Sequence, residues 1–76
     1  MFDRITFNPL VMGCRACIRG MRITVSLIVN LVANGISIDE IVREYPDLEP
    51  GDVQQALSYA SALANEEVHL FTSPAA

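Results

Sequence analysis

The sequence contains no lysine and no tryptophan, and its only two cysteines, Cys14 and Cys17, lie close together. Two cysteines at this spacing do not form the disulfide framework that stabilises small secreted domains. Long hydrophobic runs are also missing, because Ser26 and Asn30 interrupt the longest one, whereas a membrane-spanning helix needs about 20 apolar residues. The sequence therefore predicts a soluble cytoplasmic protein with neither a transmembrane segment nor a signal peptide.

Length and hydrophobicity indicate one small folded domain. The chain has 76 residues, of which 51% are hydrophobic and 18% are charged, a composition too apolar for intrinsic disorder. A domain of this size buries only about 60% of the surface of its unfolded chain, so its own core is marginal. We therefore expect part of its apolar surface to be covered by a partner, in the first place in a homodimer.

The net charge of −4 is distributed unevenly between the two halves of the chain. Residues 1–38 carry four arginines against one aspartate, a net charge of +3, and residues 39–76 carry one arginine against eight carboxylates, a net charge of −7. A nonspecific nucleic-acid binder usually presents a broad basic surface. This chain offers at most a small arginine cluster.

Local sequence signals predict three helices after an N-terminal arm. Two glycines among short β-favouring runs indicate a hairpin or irregular arm before residue 24. Thr24 is a suitable N-cap for a first helix that ends at Gly35. Ser37 and Glu40 have the spacing of a capping box for a second helix.

The third helix is predicted to begin at Pro50 and to end near Asn65. The sequence thus predicts a mainly α single domain, residues 1–76, with a three-helix helix-turn-helix core of homeodomain-like or winged type at 24–65. A short N-terminal β arm or hairpin precedes the core, and residues 66–76 form a C-terminal tail.

Four motifs carry a family resemblance: GCRACIRGMRI at 13–23, NGISIDEI at 34–41, YPDL at 45–48 and DVQQALSYA at 52–60. In this order and spacing they resemble the signature of the domain-of-unknown-function family 433. The chain departs from that signature at three positions. Cys14 stands where glycine is usual, Ala16 where proline is usual, and Met21 where threonine is usual.

The resemblance implies a helix-turn-helix fold and a VapB-type antitoxin, which binds and inhibits a PIN-like ribonuclease toxin. Binding of the protein to its own operator DNA is a further activity expected of such an antitoxin. The residues alone leave a second hypothesis open, namely a protein-interaction or structural module that keeps the helix-turn-helix shape without binding DNA. Net acidity and the absence of lysine favour this second hypothesis.

Candidate DNA-binding residues lie in the arm and on the third helix. They are Arg15, Arg19, Arg22, Gln54, Gln55 and Ser58. Arginine binds phosphate in a bidentate manner, and glutamine suits the edge of adenine. The alternative is that the arginines form internal ion pairs with carboxylates of residues 39–76. The polar side chains of the third helix would then contact only solvent.

The first helix is apolar on nearly all sides, which is typical of a helix buried in a core or at an interface. Its Leu27, Ile28 and Leu31 are the candidate dimer-interface residues. No acid, base and nucleophile occur in a catalytic pattern, so we expect neither an enzyme nor a cofactor.

The cysteines are predicted not to bind metal, because one CxxC supplies two ligands and zinc prefers four. Purified protein should therefore contain no stoichiometric zinc, and a chelator should leave its melting temperature unchanged. The double variant Cys14→Ser, Cys17→Ser should still fold. A melting temperature that collapses on chelation would establish a metal site instead.

Overall fold

A computed structural model describes residues 2–71, with side chains described for residues 2–13 and 15–65. The elements are, in order, strand β1 (Ile5–Thr6), a 3₁₀ turn (Met12–Cys14), strand β2 (Cys17–Ile18) and helices α1 (Val25–Ala33), α2 (Ile38–Glu44) and α3 (Pro50–Phe71). The predicted fold class is confirmed: the protein is mainly helical, with three helices after a short β hairpin.

The two strands of the N-terminal hairpin pair antiparallel, with Ile5 opposite Ile18 and Thr6 opposite Cys17. The chain leaves β2 through a tight turn in which Arg19 and Gly20 both have positive φ, 45° and 75°. Two hydrogen bonds fix this turn against β1, since Arg19 N–H donates to the Arg4 carbonyl and Gly20 N–H donates to the Thr6 hydroxyl, each at 2.8 Å. The turn therefore holds the Arg19 backbone in a defined place.

The predicted helix starts are confirmed in detail. Leu27 N–H donates to the Thr24 hydroxyl at 3.1 Å, as expected of an N-cap. Ser37 and Glu40 form both halves of the capping box. Between these helices Gly35 has a φ of 87°, a conformation that glycine adopts without steric cost.

Both strands and all three helices contribute to one hydrophobic core. Ile18 of β2, Ile28 of α1, Ile41 of α2 and Val53 of α3 have no exposed surface. α1 and α2 pack against each other, and both pack against α3. Among the described residues, no helix is long and apolar enough to span a membrane.

Two expectations need correction. The third helix does not end near Asn65 but continues to Phe71, because no glycine or proline interrupts the sequence before Pro74. Most of the predicted 66–76 tail is therefore helical, and residues 72–76 lie outside the described part. Ile28 is fully buried within its own domain, so it is not available to a dimer interface, whereas Leu27 and Leu31 are half-buried.

Candidate functional site

The most strongly bonded group of polar side chains surrounds Asp52 in the first turn of α3. The Asp52 side chain has no exposed surface, yet both of its oxygens are bonded. Oδ1 accepts from Arg4 Nη1 at 2.8 Å and from Arg19 Nε at 3.1 Å. Oδ2 accepts from Arg19 Nη2 at 2.9 Å and from the Glu49 backbone N–H at 2.8 Å. We name Arg4, Arg19, Glu49 and Asp52 the Asp52 cluster.

Local structure brings each member of the cluster into position. Asp52 is the third residue of α3, so its carboxylate caps the backbone N–H of the preceding Glu49, as in half of a capping box. The positive-φ turn after β2 places Arg19, whose Nη2 also donates to the Asp47 carbonyl at 2.8 Å. A residue in this conformation is unusual unless it is glycine, and the bidentate pairing with Asp52 compensates for its cost.

Arg4 reaches Asp52 across the start of α3. Its Nη1 donates to both Asp52 and Glu49, in each case at 2.8 Å. A Cβ atom on Gly51 would lie only 3.1 Å from the Arg4 guanidinium carbon. Glycine at position 51 therefore lets the guanidinium lie close to the helix backbone.

Protonation of the cluster follows from these bonds. Burial raises the pKa of Asp52, but the hydrogen bonds from Arg19, the Glu49 backbone and Arg4 outweigh it and lower the pKa to about 2. The same pairing with Asp52 raises the pKa of Arg19 and, together with Glu49, that of Arg4. Asp52 and the two arginines are thus ionised at neutral pH.

A second link joins α3 to the chain before β1. The Gln55 side chain accepts from the Arg4 backbone N–H and donates from Nε2 to Asp3 Oδ1 at 3.0 Å. The bond from Gln55 lowers the pKa of Asp3. Gln55 therefore uses both ends of its amide within the domain.

The structure separates the arginines that the sequence places together. Arg19 belongs to the Asp52 cluster, whereas Arg15 lines an apolar groove whose walls also include Leu63 of α3. Leu63 follows Asp52 by eleven residues, which is about 16 Å along a helix. Arg22, Gln54 and Ser58 are exposed, so they stay candidates for DNA contact.

Neither Asp52 nor Arg4 is among the candidate site residues predicted from the sequence. The signal that was available is the spacing of Glu49 and Asp52 around Pro50, which fits the reversed half of a capping box. The pairing across more than thirty residues of chain had no local signal.

Exposed carboxylates gather on α2 and on the turn that leads to α3. They are Asp39, Glu40, Glu44, Asp47 and Glu49, and we name them the acidic face. Arg43 is the only cation that α2 contributes.

An apolar groove of about 530 Å³ runs between α1 and α3. Its walls include Phe7, Arg15, Val25, Val29, Tyr59 and Leu63. Phe7 packs on Tyr59 with ring centroids 6.2 Å apart but remains 58% exposed, and Leu63 remains 48% exposed. Arg15 is the only charged side chain among the described residues that line it.

The structure describes only one of the two cysteine side chains of the CxxC motif at residues 14–17. Cys17 is buried in β2, and the side chain of Cys14 lies outside the described part. Within that part, no three histidine, cysteine or acidic side chains come together in a group that could hold a metal ion.

These features define a small helical domain whose second and third helices are joined by a tight turn and fixed to a β hairpin by a buried carboxylate. The chain belongs to DUF433, a family of proteins of unknown function, whose model matches residues 5–60. Neither a curated protein nor a solved structure gives a significant match.

The Asp52 cluster should make stability dependent on acid pH. Because the pKa of Asp52 falls from 3.8 to about 2 on folding, its stabilisation is complete above about pH 4 and is lost as the pH falls through about 2. Asp52→Asn should lower the free energy of unfolding by roughly 3 kcal/mol at pH 7. It should also make the free energy of unfolding depend less on pH between about pH 4 and about pH 2.

The measurement is urea unfolding at a series of pH values, followed by circular dichroism. Asp39→Asn removes an exposed carboxylate and serves as the matched control, which should retain the acid-induced loss. Equal pH profiles for the two variants would contradict the role assigned to Asp52.

Proposed function

We propose that this protein is a regulatory binding protein of the antitoxin type, which binds and inhibits a PIN-like ribonuclease through its acidic face. The nuclease partner comes from the family resemblance. Charge supports the proposal, because a ribonuclease binds a polyanion and so presents a basic surface to which carboxylates are complementary.

One observation carries the choice of protein over DNA as the main partner. In a helix-turn-helix, the N-terminal end of the recognition helix contacts the bases while neighbouring groups contact phosphates. Here the two cations beside that end, Arg4 and Arg19, are both bound to Asp52. The exposed side chains around it include Asp47 and Glu49, which repel phosphates.

One candidate base-contacting residue of α3 is already bonded within the domain. Gln55 is bonded to Asp3 and to the Arg4 backbone. A glutamine reads adenine with both ends of its amide, so base contact would require these bonds to break. The same helix end thus favours a basic protein surface over a nucleic acid.

The test begins with the genes beside the one for this chain, among which the proposal expects a gene for a PIN-like ribonuclease. We expect the purified protein to inhibit that nuclease, with an affinity that falls as salt rises. Glu44→Gln combined with Asp47→Asn should weaken binding about tenfold, because it removes two charges from the acidic face.

The control matches the change in net charge at another place. Ser61→Lys together with Ala62→Lys adds two positive charges on the exposed part of α3 and should leave the affinity for the nuclease nearly unchanged. Absence of inhibition, or equal weakening by both double variants, would contradict the proposal.

Operator DNA is the second candidate partner, because Arg15, Arg22, Gln54 and Ser58 are exposed. If the protein binds the DNA upstream of its own gene, Arg22→Ala should weaken binding on all sequences and should lower the salt slope by about one. Gln54→Ala should instead change sequence preference more than affinity.

A gel-shift titration at several salt concentrations measures both effects. Arg43→Ala is the matched control, since Arg43 is exposed but lies on α2 within the acidic face. Failure of the parent protein to shift this DNA would leave a protein-interaction module without DNA binding, the alternative that the sequence already offers.

A further inference from the structure

We infer that Asn34 is a latent site of spontaneous deamidation, and that the folded end of α1 suppresses the reaction there. Asn34 is followed by Gly35, and both residues are exposed at the end of the helix. Glycine obstructs attack by its own backbone nitrogen less than any other residue, because it has no side chain. This inference goes beyond the proposed function, since the reaction needs no partner other than water.

Deamidation begins when the backbone nitrogen of Gly35 loses its proton and attacks Cγ, the side-chain carbonyl carbon of Asn34. A bond forms between this nitrogen and Cγ, the bond from Cγ to Nδ2 breaks, and Nδ2 leaves with a proton as ammonia. The product is a five-membered succinimide ring. Water then opens the ring at either carbonyl carbon and leaves aspartate or isoaspartate, so the reaction requires neither an oxidant nor a reductant.

The backbone conformation of Asn34 holds the two reacting atoms apart. Ring closure requires the Gly35 nitrogen to lie on the side of the Cα–C bond that carries Cβ. Asn34 has a ψ of 13°, which places the Gly35 nitrogen next to the backbone nitrogen of Asn34 and away from Cβ. The chain must therefore rotate about this bond before the attack.

Hydrogen bonds hold both reacting groups as well. Gly35 N–H donates to the Val32 carbonyl at 3.0 Å, and this bond favours the protonated nitrogen over the deprotonated one that attacks. Asn34 Nδ2 donates to the Asn30 carbonyl at 2.7 Å, so the side-chain amide is directed back along α1. Breaking these bonds adds to the cost of reaching the reactive geometry.

The conformation that gives this protection is a Schellman motif at the end of α1. Besides the bond from Gly35, Ile36 N–H donates to the Leu31 carbonyl at 3.0 Å, which completes the pair of bonds that defines the motif. Gly35 has the positive φ that the motif requires, 87°. Ile36 and Leu31 both pack against the hydrophobic core, so protection of Asn34 depends on core packing.

Modification would weaken the structure that prevents it. Aspartate adds a negative charge at the C-terminus of α1, where the helix dipole disfavours it. An ionised carboxylate also has no donor for the bond to the Asn30 carbonyl. Isoaspartate lengthens the backbone by a methylene carbon, so the hydrogen bonds of the Schellman motif lose their spacing. A modified chain should therefore be less stable than the parent.

The experiment incubates the full chain at slightly alkaline pH, either in native buffer or unfolded in guanidinium chloride. Peptide mass spectrometry measures the conversion of Asn34 to aspartate and isoaspartate. We expect the native chain to react about tenfold more slowly or less, because only molecules in which the end of α1 has opened can react. Equal rates in the two solutions would overturn the inference, as would an unfolded chain in which Asn34 stays unmodified.

Ile36→Ala tests whether the Schellman motif itself protects Asn34. It removes apolar contact beside the motif and should raise the rate in native buffer about threefold, because the end of α1 opens more often. Val42→Ala is the matched control, since Val42 is also half-buried against the core but lies on α2. It should leave the rate close to that of the parent.

Circular dichroism verifies that both variants are folded in native buffer. Equal acceleration by the two variants would contradict the role of the motif, because loss of stability anywhere in the domain would then have the same effect. The comparison of native and unfolded parent protein decides the inference even where a variant does not fold.

Discussion

The pairing of buried Asp52 with two arginines is the constraint on which the rest of the structure depends. A carboxylate without exposed surface is tolerated only when its charge and its oxygens are matched by hydrogen bonds. Arg4 comes from the start of the hairpin, Arg19 from its end, and Asp52 from α3. The cluster therefore fixes both ends of a hairpin with only two residues in each strand, which on its own would be marginal.

The same pairing also affects the charge that the start of α3 presents to its surroundings. Arg4 and Arg19 are each paired with Asp52 and remain 34% and 39% exposed. The exposed carboxylates Asp47 and Glu49 lie near them at the start of α3. The helix-turn-helix shape thus remains while the charge that such a shape usually presents to DNA is reversed at its helix end. Shape alone does not specify function, and the partner proposed above therefore rests on the side chains at the start of α3.

Sequence reasoning succeeded where the determining interactions are local. Thr24, Ser37 and Glu40 act within one helical turn, so the spacing of residue types was enough to predict them. It failed for the Asp52 cluster, because thirty-three residues separate Arg19 from Asp52 and only the tertiary fold brings them together. Ile28 was misplaced for a related reason: an all-apolar helix does not reveal which side faces its own core and which faces a partner.

The Asp52 cluster also has consequences for the apolar groove, which lies against the middle of α3. Arg4 and Gln55 attach the chain around β1 to the first turns of this helix. Phe2 and Phe7 flank β1 and both pack on Tyr59, two turns further along α3. The ion pairs thereby set the position of the hairpin relative to α3, and this position places Phe7 as a wall of the groove. A single buried carboxylate thus helps to position both the start of α3 and one wall of the apolar groove.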